Sequence, residues 1–318
     1  MSVDLLCMGE PMLEYSQLPA DSEGRRLYLE GFGGDTSNTT IAAARQGAGT
    51  GYVTAVGEDM GGDAFMQLWR SEGVDTSTVI QRPNRPTAVY FVLRKGDGHE
   101  FLFYRAGSAA ASYGPPDLPK AAVAGARIFY ASGISQAISD SAAAAVSLAI
   151  DIARQANLAV AYDTNYRARL WPPARAREVI HEAVRRARYV FVSQEDGEAL
   201  TEFRHPDALI DFYLSLGPEV VILKQGRAGA LLATARERLH LPAPAVAAVD
   251  STGAGDVLAG AFLARILGGD EPESAARYAV TAAALSTTGY GAVAPIPRAA
   301  EVISRLEALE PDRLKPKA

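Results

Sequence analysis

The chain alternates short apolar runs with longer amphipathic ones, and that rhythm excludes most fold classes before any motif is read. Leu5–Gly9, Gly51–Gly57, Arg127–Ala131, Leu158–Tyr162, Tyr189–Val192 and Val220–Lys224 have strand length and strand composition. Between them, Thr39–Gln46, Asp140–Ala156, Ala174–Arg188 and Pro206–Leu216 have helical composition. Buried strands separated by helices predict an α/β fold, with a mostly parallel sheet covered on both faces. Ligands of such sheets gather at the carboxyl ends of the strands. Asp163-Thr164-Asn165, Ser193 and Lys224-Gln225-Gly226 all fall there.

One stretch breaks the rhythm. Thr87–Leu93 and Glu100–Tyr104 flank Lys95-Gly96-Asp97-Gly98-His99, a β-hairpin with glycine in its turn, and Tyr28–Phe32 offers a third strand. Three strands with no intervening helix predict a small sheet standing off the main layer, as a lid in preference to a sheet-edge hairpin. No repeat and no linker divides the chain, so residues 1–318 read as a single domain with a lid built from about 11–33 and 84–107. Pro311–Ala318 reads as a loose tail.

A net charge of −6 over 318 residues argues against nucleic acid or an acidic membrane as partner, because both demand a basic face. The single cysteine, Cys7, permits no intrachain disulfide and fits a reducing cytoplasm. Met1-Ser2-Val3-Asp4 has no basic leader, and the apolar run after it is too short for a signal peptide or membrane span. His99, His181, His205 and His240 lack metal-ligand spacing.

The chemistry-bearing segment is Asp250-Ser251-Thr252-Gly253-Ala254-Gly255-Asp256, which runs directly into the apolar helix Val257–Leu263. The first turn of a helix has free N–H groups and the positive end of the dipole, so it attracts phosphate or a developing oxyanion. Asp256 places a carboxylate at the rim of that pocket, where it can act as base for an acceptor hydroxyl. An acid in a first turn is also an ordinary cap, so these residues alone leave both readings open.

Together with Gly33-Gly34-Asp35-Thr36-Ser37-Asn38 and the hairpin between them, the segment resembles the ribokinase-like (PfkB) carbohydrate kinases from about Leu5 to Pro297. The resemblance implies a ribokinase-like three-layer sandwich with a mostly parallel central sheet and a small β-sheet lid. It also implies ATP, Mg²⁺, a monovalent cation such as K⁺ as an optional activator, and Asp256 as catalytic base beside an anion hole of Gly253, Ala254 and Gly255. Within the family the segments Gly33–Thr39, Tyr104-Arg105-x-Gly107-Ser108-Ala109 and Asp163-x-Asn165-x-Arg167-x-x-Leu170-Trp171 are most similar to 2-keto-3-deoxygluconate kinases. Fructokinases share much of the last. A sugar acid needs cationic donors for its carboxylate, and a guanidinium can bind it bidentately.

On the acceptor side the resemblance implies Gly34 packed against the sugar, Asp35 and Asn38 on its hydroxyls, and Tyr90, Tyr104, Arg105 and Arg167 around it. Asn38 or Ser37 would also cap a helix beginning at Thr39. Tyr104 and Arg105 are neighbours on a strand and can both face the sugar only if the strand ends or twists there. On the nucleotide side it implies Asn165, Arg167, Ser193, Lys224, Gly226 and Gly229 near phosphates and ribose, with Ala283 at the adenine. The metal ligand stays open between Asp196 and Glu195, with Glu198 a further candidate, because Ser193-Gln194-Glu195-Asp196 replaces the family's Asn-x-x-Glu. The expected partners are a sugar acid, ATP and a second copy of the chain through the lid. A fructokinase or a non-catalytic binding module are the alternatives.

Overall fold

The computed structural model describes residues 3–95 and 98–309. Gly96 and Asp97 of the expected hairpin turn, and the expected tail from Pro311, lie outside the described residues. The strands are β1 (Leu5–Met8), β2 (Met12–Gln17), β3 (Tyr28–Gly33), β4 (Thr50–Gly57), β5 (Val79–Arg82), β6 (Ala88–Lys95), β7 (Gly98–Tyr104), β8 (Ile128–Ser132), β9 (Ala159–Asp163), β10 (Tyr189–Ser193), β11 (Val220–Lys224), β12 (Ala230–Ala233) and β13 (Arg238–Leu241). The helices are α1 (Asp35–Arg45), α2 (Met60–Ser71), α3 (Lys120–Gly125), α4 (Gly133–Ala137), α5 (Asp140–Gln155), α6 (Pro173–Arg186), α7 (Gln194–Leu200), α8 (Pro206–Ser215), α9 (Ala254–Leu267), α10 (Pro272–Ser286) and α11 (Ala299–Leu309).

Nine strands form the main sheet in the order β13-β12-β11-β10-β9-β8-β1-β4-β5. Every pair from β11 to β5 is parallel, and β12 and β13 add an antiparallel edge. Strand periodicity divides the core into two layers. Leu5 and Cys7 of β1 face a cluster with Ile41, Phe65, Val257 and Ala279, and Leu6 and Met8 face another with Val146, Ile180 and Leu209. The first cluster joins the sheet to α1, α2, α9, α10 and α11; the second joins it to α3, α5, α6 and α8. This is the three-layer α/β sandwich with a mostly parallel sheet expected from the sequence.

A separate sheet holds four strands, not three, in the order β3-β2-β6-β7. The strand missed was β2, whose Met12-Leu13-Glu14-Tyr15-Ser16-Gln17 carries polar residues among apolar ones and pairs parallel with β6. Gly33 and Gly34 mark the return to the core. Gly34 has φ of 105°, and a Cβ there would collide with the Glu10 carbonyl, so only glycine fits. Helix α1 therefore starts at Asp35, four residues before the expected start. Its N-cap is Gly34 without a side-chain cap, so neither Ser37 nor Asn38 caps it. Among the described residues no helix is long and apolar enough to cross a membrane.

Candidate functional site

The carboxyl ends of the central strands and the first turns of α1 and α9 converge on one cleft beneath the small sheet. Gly253 adopts φ of 77°, and this left-handed residue turns the chain into α9. The N–H of Ala254 is spent on the Ser251 carbonyl (3.2 Å), a correction to the expectation that it joins the anion hole. Gly255 and Asp256, the next residues in the first turn, keep the outward N–H groups that a helix start leaves without intrahelical partners. Asp250 shapes the approach: its carboxylate accepts from Thr252 N, Thr252 Oγ1 and, across the loop, Gly291 N at 2.9 Å.

Asp256 is partly open to the cleft, and its Oδ2 accepts from Asn38 Nδ2 at 2.8 Å. Desolvation raises its pKa from 3.8 to about 8; Asp35 and Asp163 push the same way, while Asn38 and Lys224 oppose. Asp35 is itself buried, with Oδ2 accepting from Ser132 Oγ (2.5 Å) and Asn165 Nδ2 (2.8 Å). The second oxygen of Asp35 and the side-chain oxygen of Asn38 are buried acceptors with no partner among the described residues. Two unsatisfied acceptors beside a base of raised pKa make a cleft that welcomes hydroxyl donors.

On the other flank of α9, Lys224 Nζ donates to Asp163 Oδ2 at 2.6 Å and lies close beside Gly255. Burial disfavours both charges, and their direct contact outweighs it for Lys224, which stays protonated with its pKa raised. Gly226–Ala228 form a single 3₁₀ turn at the carboxyl end of β11, and Gly229 follows at φ of 97°. Ala283 lies half-buried on α10, which packs along α9. Lys224 and the start of α9 thus stand side by side next to Asp256.

Several expected residues stand elsewhere. Asn165, at φ of 31°, turns its amide onto Asp35. The missing side chain of Gly34 faces the Glu10–Pro11 backbone. Tyr90 faces the cleft closely enough to feel the charges of Asp250 and Asp256, its hydroxyl donating to Glu14 and its ring stacked on Phe103. Register puts Tyr104 on the opposite face of the small sheet, 60% exposed and edge-on to Phe91. Strand alternation holds to the end of β7, so Tyr104 and the cleft-facing residues do not meet.

The two arginines differ. Arg105 follows β7 and donates Nη2 to the fully buried Glu10, its Nε left buried without a partner. Arg167 is exposed, donates Nη1 to the Tyr166 carbonyl at 2.8 Å, and has no ion pair among the described residues. Neighbouring Arg169 reaches the Phe101 carbonyl of β7 at 3.3 Å, bridging main and small sheets.

Ser193 caps α7 by accepting from Asp196 N (3.0 Å). Asp196 is buried, and its Oδ2 accepts from Thr164 Oγ1 and Tyr166 N, so it braces the loop carrying Asn165 and Arg167. Glu195 is exposed and Glu198 accepts from Gln194. No group of three or more His, Cys, Asp or Glu side chains able to hold a metal exists among the described residues. Sequence reasoning missed Glu10, Glu14 and Ser132. Glu10 and Ser132 end or follow β1 and β8, so the strand-end rule that flagged Asp163 would have found both.

Residues 12–299 match the family described as pfkB family carbohydrate kinase. A 2-dehydro-3-deoxygluconokinase of Thermoproteus tenax is 34% identical over 94% of this chain and 93% of its own length. A probable fructokinase-3 of Arabidopsis thaliana is 31% identical over 88% of this chain and 84% of its own. The crystal structure of aminoimidazole riboside kinase from Salmonella enterica, complexed with aminoimidazole riboside and an ATP analogue, superposes with a TM-score of 0.84. It is 25% identical and covers 95% of this chain and 99% of that one.

Proposed function

Because the chain belongs to the pfkB family of carbohydrate kinases, we propose that it phosphorylates 2-keto-3-deoxygluconate at its terminal hydroxyl with ATP, giving the 6-phosphate and ADP. The observation that carries the kinase chemistry is Asp256, held by Asn38 in the first turn of α9 with its pKa raised to about 8. Asp35 and Asn38 take the sugar hydroxyls on their unpartnered oxygens. Asp256 accepts the proton of the attacking hydroxyl as its oxygen bonds to the γ-phosphorus and the bond to ADP breaks. The N–H groups of Gly255 and Asp256 and the Lys224 ammonium stabilise charge on the phosphoryl oxygens.

Mg²⁺ binds through few protein carboxylates and many phosphate and water oxygens, which fits a cleft lacking a three-acid cage. It would ride on the ATP phosphates, with Asp196 and Glu195 as the acids of α7 nearest that role, and would neutralise phosphate charge when bound. The small sheet serves as a lid, and its exposed outer residues, Tyr28, Leu102 and Tyr104, suit a dimer contact. Water excluded beneath the lid protects the activated phosphate from hydrolysis.

Acid-sugar preference rests on Arg105 and Arg167 and on the similarity to 2-dehydro-3-deoxygluconokinases. A fructokinase reading is favoured by one observation: Arg105 already has a carboxylate partner in Glu10. A panel of sugars and sugar acids with ATP decides. Arg105→Leu and Arg167→Leu should each impair 2-keto-3-deoxygluconate far more than fructose. Good turnover of fructose with none of the acid would overturn the substrate assignment.

A further inference from the structure

Glu10 stands where a chain rarely spends a charge. It follows β1, its side chain is fully buried, and it belongs to neither the phosphate side nor the base. Its two oxygens reach across to the exit of the small sheet. Oε2 accepts from Arg105 Nη2 and Oε1 from Ser108 Oγ at 2.9 Å. The segment between those donors is fixed as a turn, with Ser108 N bonded to the Arg105 carbonyl (3.1 Å) and Gly107 at φ of 73°. Ser108 Oγ in turn accepts from Ala111 N. The Glu10 carbonyl packs against Gly34, the residue immediately before Asp35, which places this cluster next to the proposed acceptor subsite.

A guanidinium has five N–H donors in a planar fork, and a carboxylate holding one end fixes the direction of the others. Here Glu10 holds Nη2, and the Nε of Arg105 is buried with no partner. An unpaired buried donor costs free energy until an acceptor arrives. A neutral sugar gives it at best a hydroxyl oxygen, whereas a sugar acid gives it an anionic one. The same carboxylate also balances the charge of Arg105 with a direct ion pair.

We propose that Glu10 is the positioning residue that aims Arg105 at the carboxylate of the substrate and so sets discrimination between acid and neutral sugars. The proposal rests on the acid-sugar reading above and adds to it a residue that touches no substrate. Because Glu10 follows a core strand and Arg105 follows the small sheet, it also ties acid recognition to the seating of that sheet.

The test is steady-state kinetics of the full-length enzyme and of Glu10→Gln, with 2-keto-3-deoxygluconate, fructose and ATP each varied. Glu10→Gln should raise KM for the acid about tenfold while kcat and the KM for ATP stay within about twofold, the pattern of lost substrate binding. Fructose kinetics should change little. Combined with Arg105→Leu, the substitution should add almost nothing, since its effect runs through that side chain. Glu10→Asp should recover part of the loss. Equal damage to kcat, both sugars and ATP, or full additivity with Arg105→Leu, would mark Glu10 as merely structural and overturn the proposal. An unchanged acid KM would overturn it while leaving the substrate assignment intact. A wild-type enzyme inactive on the acid would sink both. If Glu10→Gln fails to fold, Ser108→Ala must show the same acid-selective rise in KM, at smaller size, or the proposal falls.

Discussion

Replacing Asp256 by asparagine separates what that carboxylate does for chemistry from what it costs the fold. Desolvation, Asp35 and Asp163 lift its pKa from 3.8 to about 8. Between those values the unfolded chain has lost a proton that the folded chain retains. The folded state binds more protons, so stability falls as pH rises through that window, and the penalty is complete above about pH 8. At about 1.4 kcal/mol per unit the whole shift is worth about 6 kcal/mol. The cleft is partly open, and solvent screening there leaves an expected gain of about 1–2 kcal/mol on removing the charge. The introduced amide still accepts from Asn38 and can donate to the Asn38 oxygen that now lacks a partner. Asp256→Asn should therefore raise Tm by about 2–4 °C at about pH 9 and by almost nothing near pH 4. Turnover should drop at least ~10²-fold at every pH. In the wild type, kcat/KM should climb with pH, reach half its plateau near pH 8 and level off about one unit above, following the ionised base. Scanning calorimetry at the two pH values and a coupled ADP assay provide the readings. A variant less stable than wild type at the higher pH would refute the electrostatic reasoning, and retained turnover would refute the base.

Lys224→Met removes the partner of a fully buried carboxylate. It should cost about 3–5 kcal/mol in urea denaturation, with Asp163→Asn restoring much of that in the double variant, and it should raise KM for ATP. No rescue in the double variant would show that the pair is not the source of the loss. Tyr104→Ala, on the outer face of the small sheet, should leave both substrate KM values within about twofold of wild type. A selective collapse of sugar binding would mean that Tyr104 reaches the cleft after all.

The main sheet was legible because its strands are apolar on both faces and its helices long; β9, β10 and β11 fall within a residue or two of their expected bounds. Strand β2 was not, because one face of it meets Tyr90 and Gly31 in a polar setting and its Glu14 and Ser16 bond to each other. The start of α1 was misplaced for a similar reason. Asp35-Thr36-Ser37-Asn38 has cap composition, yet all four are buried side chains inside the first turn, serving the cleft and the core. Asp256, Lys224 and Asp35 were legible as candidates because they lie in short segments next to glycine or a strand end. Glu10 was passed over because Gly-Glu-Pro after a strand has the look of an exposed turn, and only the fold reveals that Arg105 and Ser108 come back to cover it. Tyr104 lies one step of strand alternation from the face that carries Tyr90 and Phe103.

The four strands of the small sheet meet the rest of the chain at one edge. Met12, Gly33 and Ala88 stand in a single transverse row by register, with Tyr104 one step along opposite Val89, while Gln17, Tyr28, Lys95 and Gly98 mark the far ends. Such a plate is a cantilever with four roots, and no root can shift alone without shearing the ladders between them. A strand of six to eight residues is roughly 20–25 Å long, so tilting the plate by about 10° about its roots would carry the tips about 4 Å and the roots under 1 Å. Glu10, Gly34, Thr87 and Arg105 all lie within two residues of that row. The far ends of the plate can thus swing by several ångströms, about 4 Å for that tilt, while Glu10, Gly34, Thr87 and Arg105 scarcely change place.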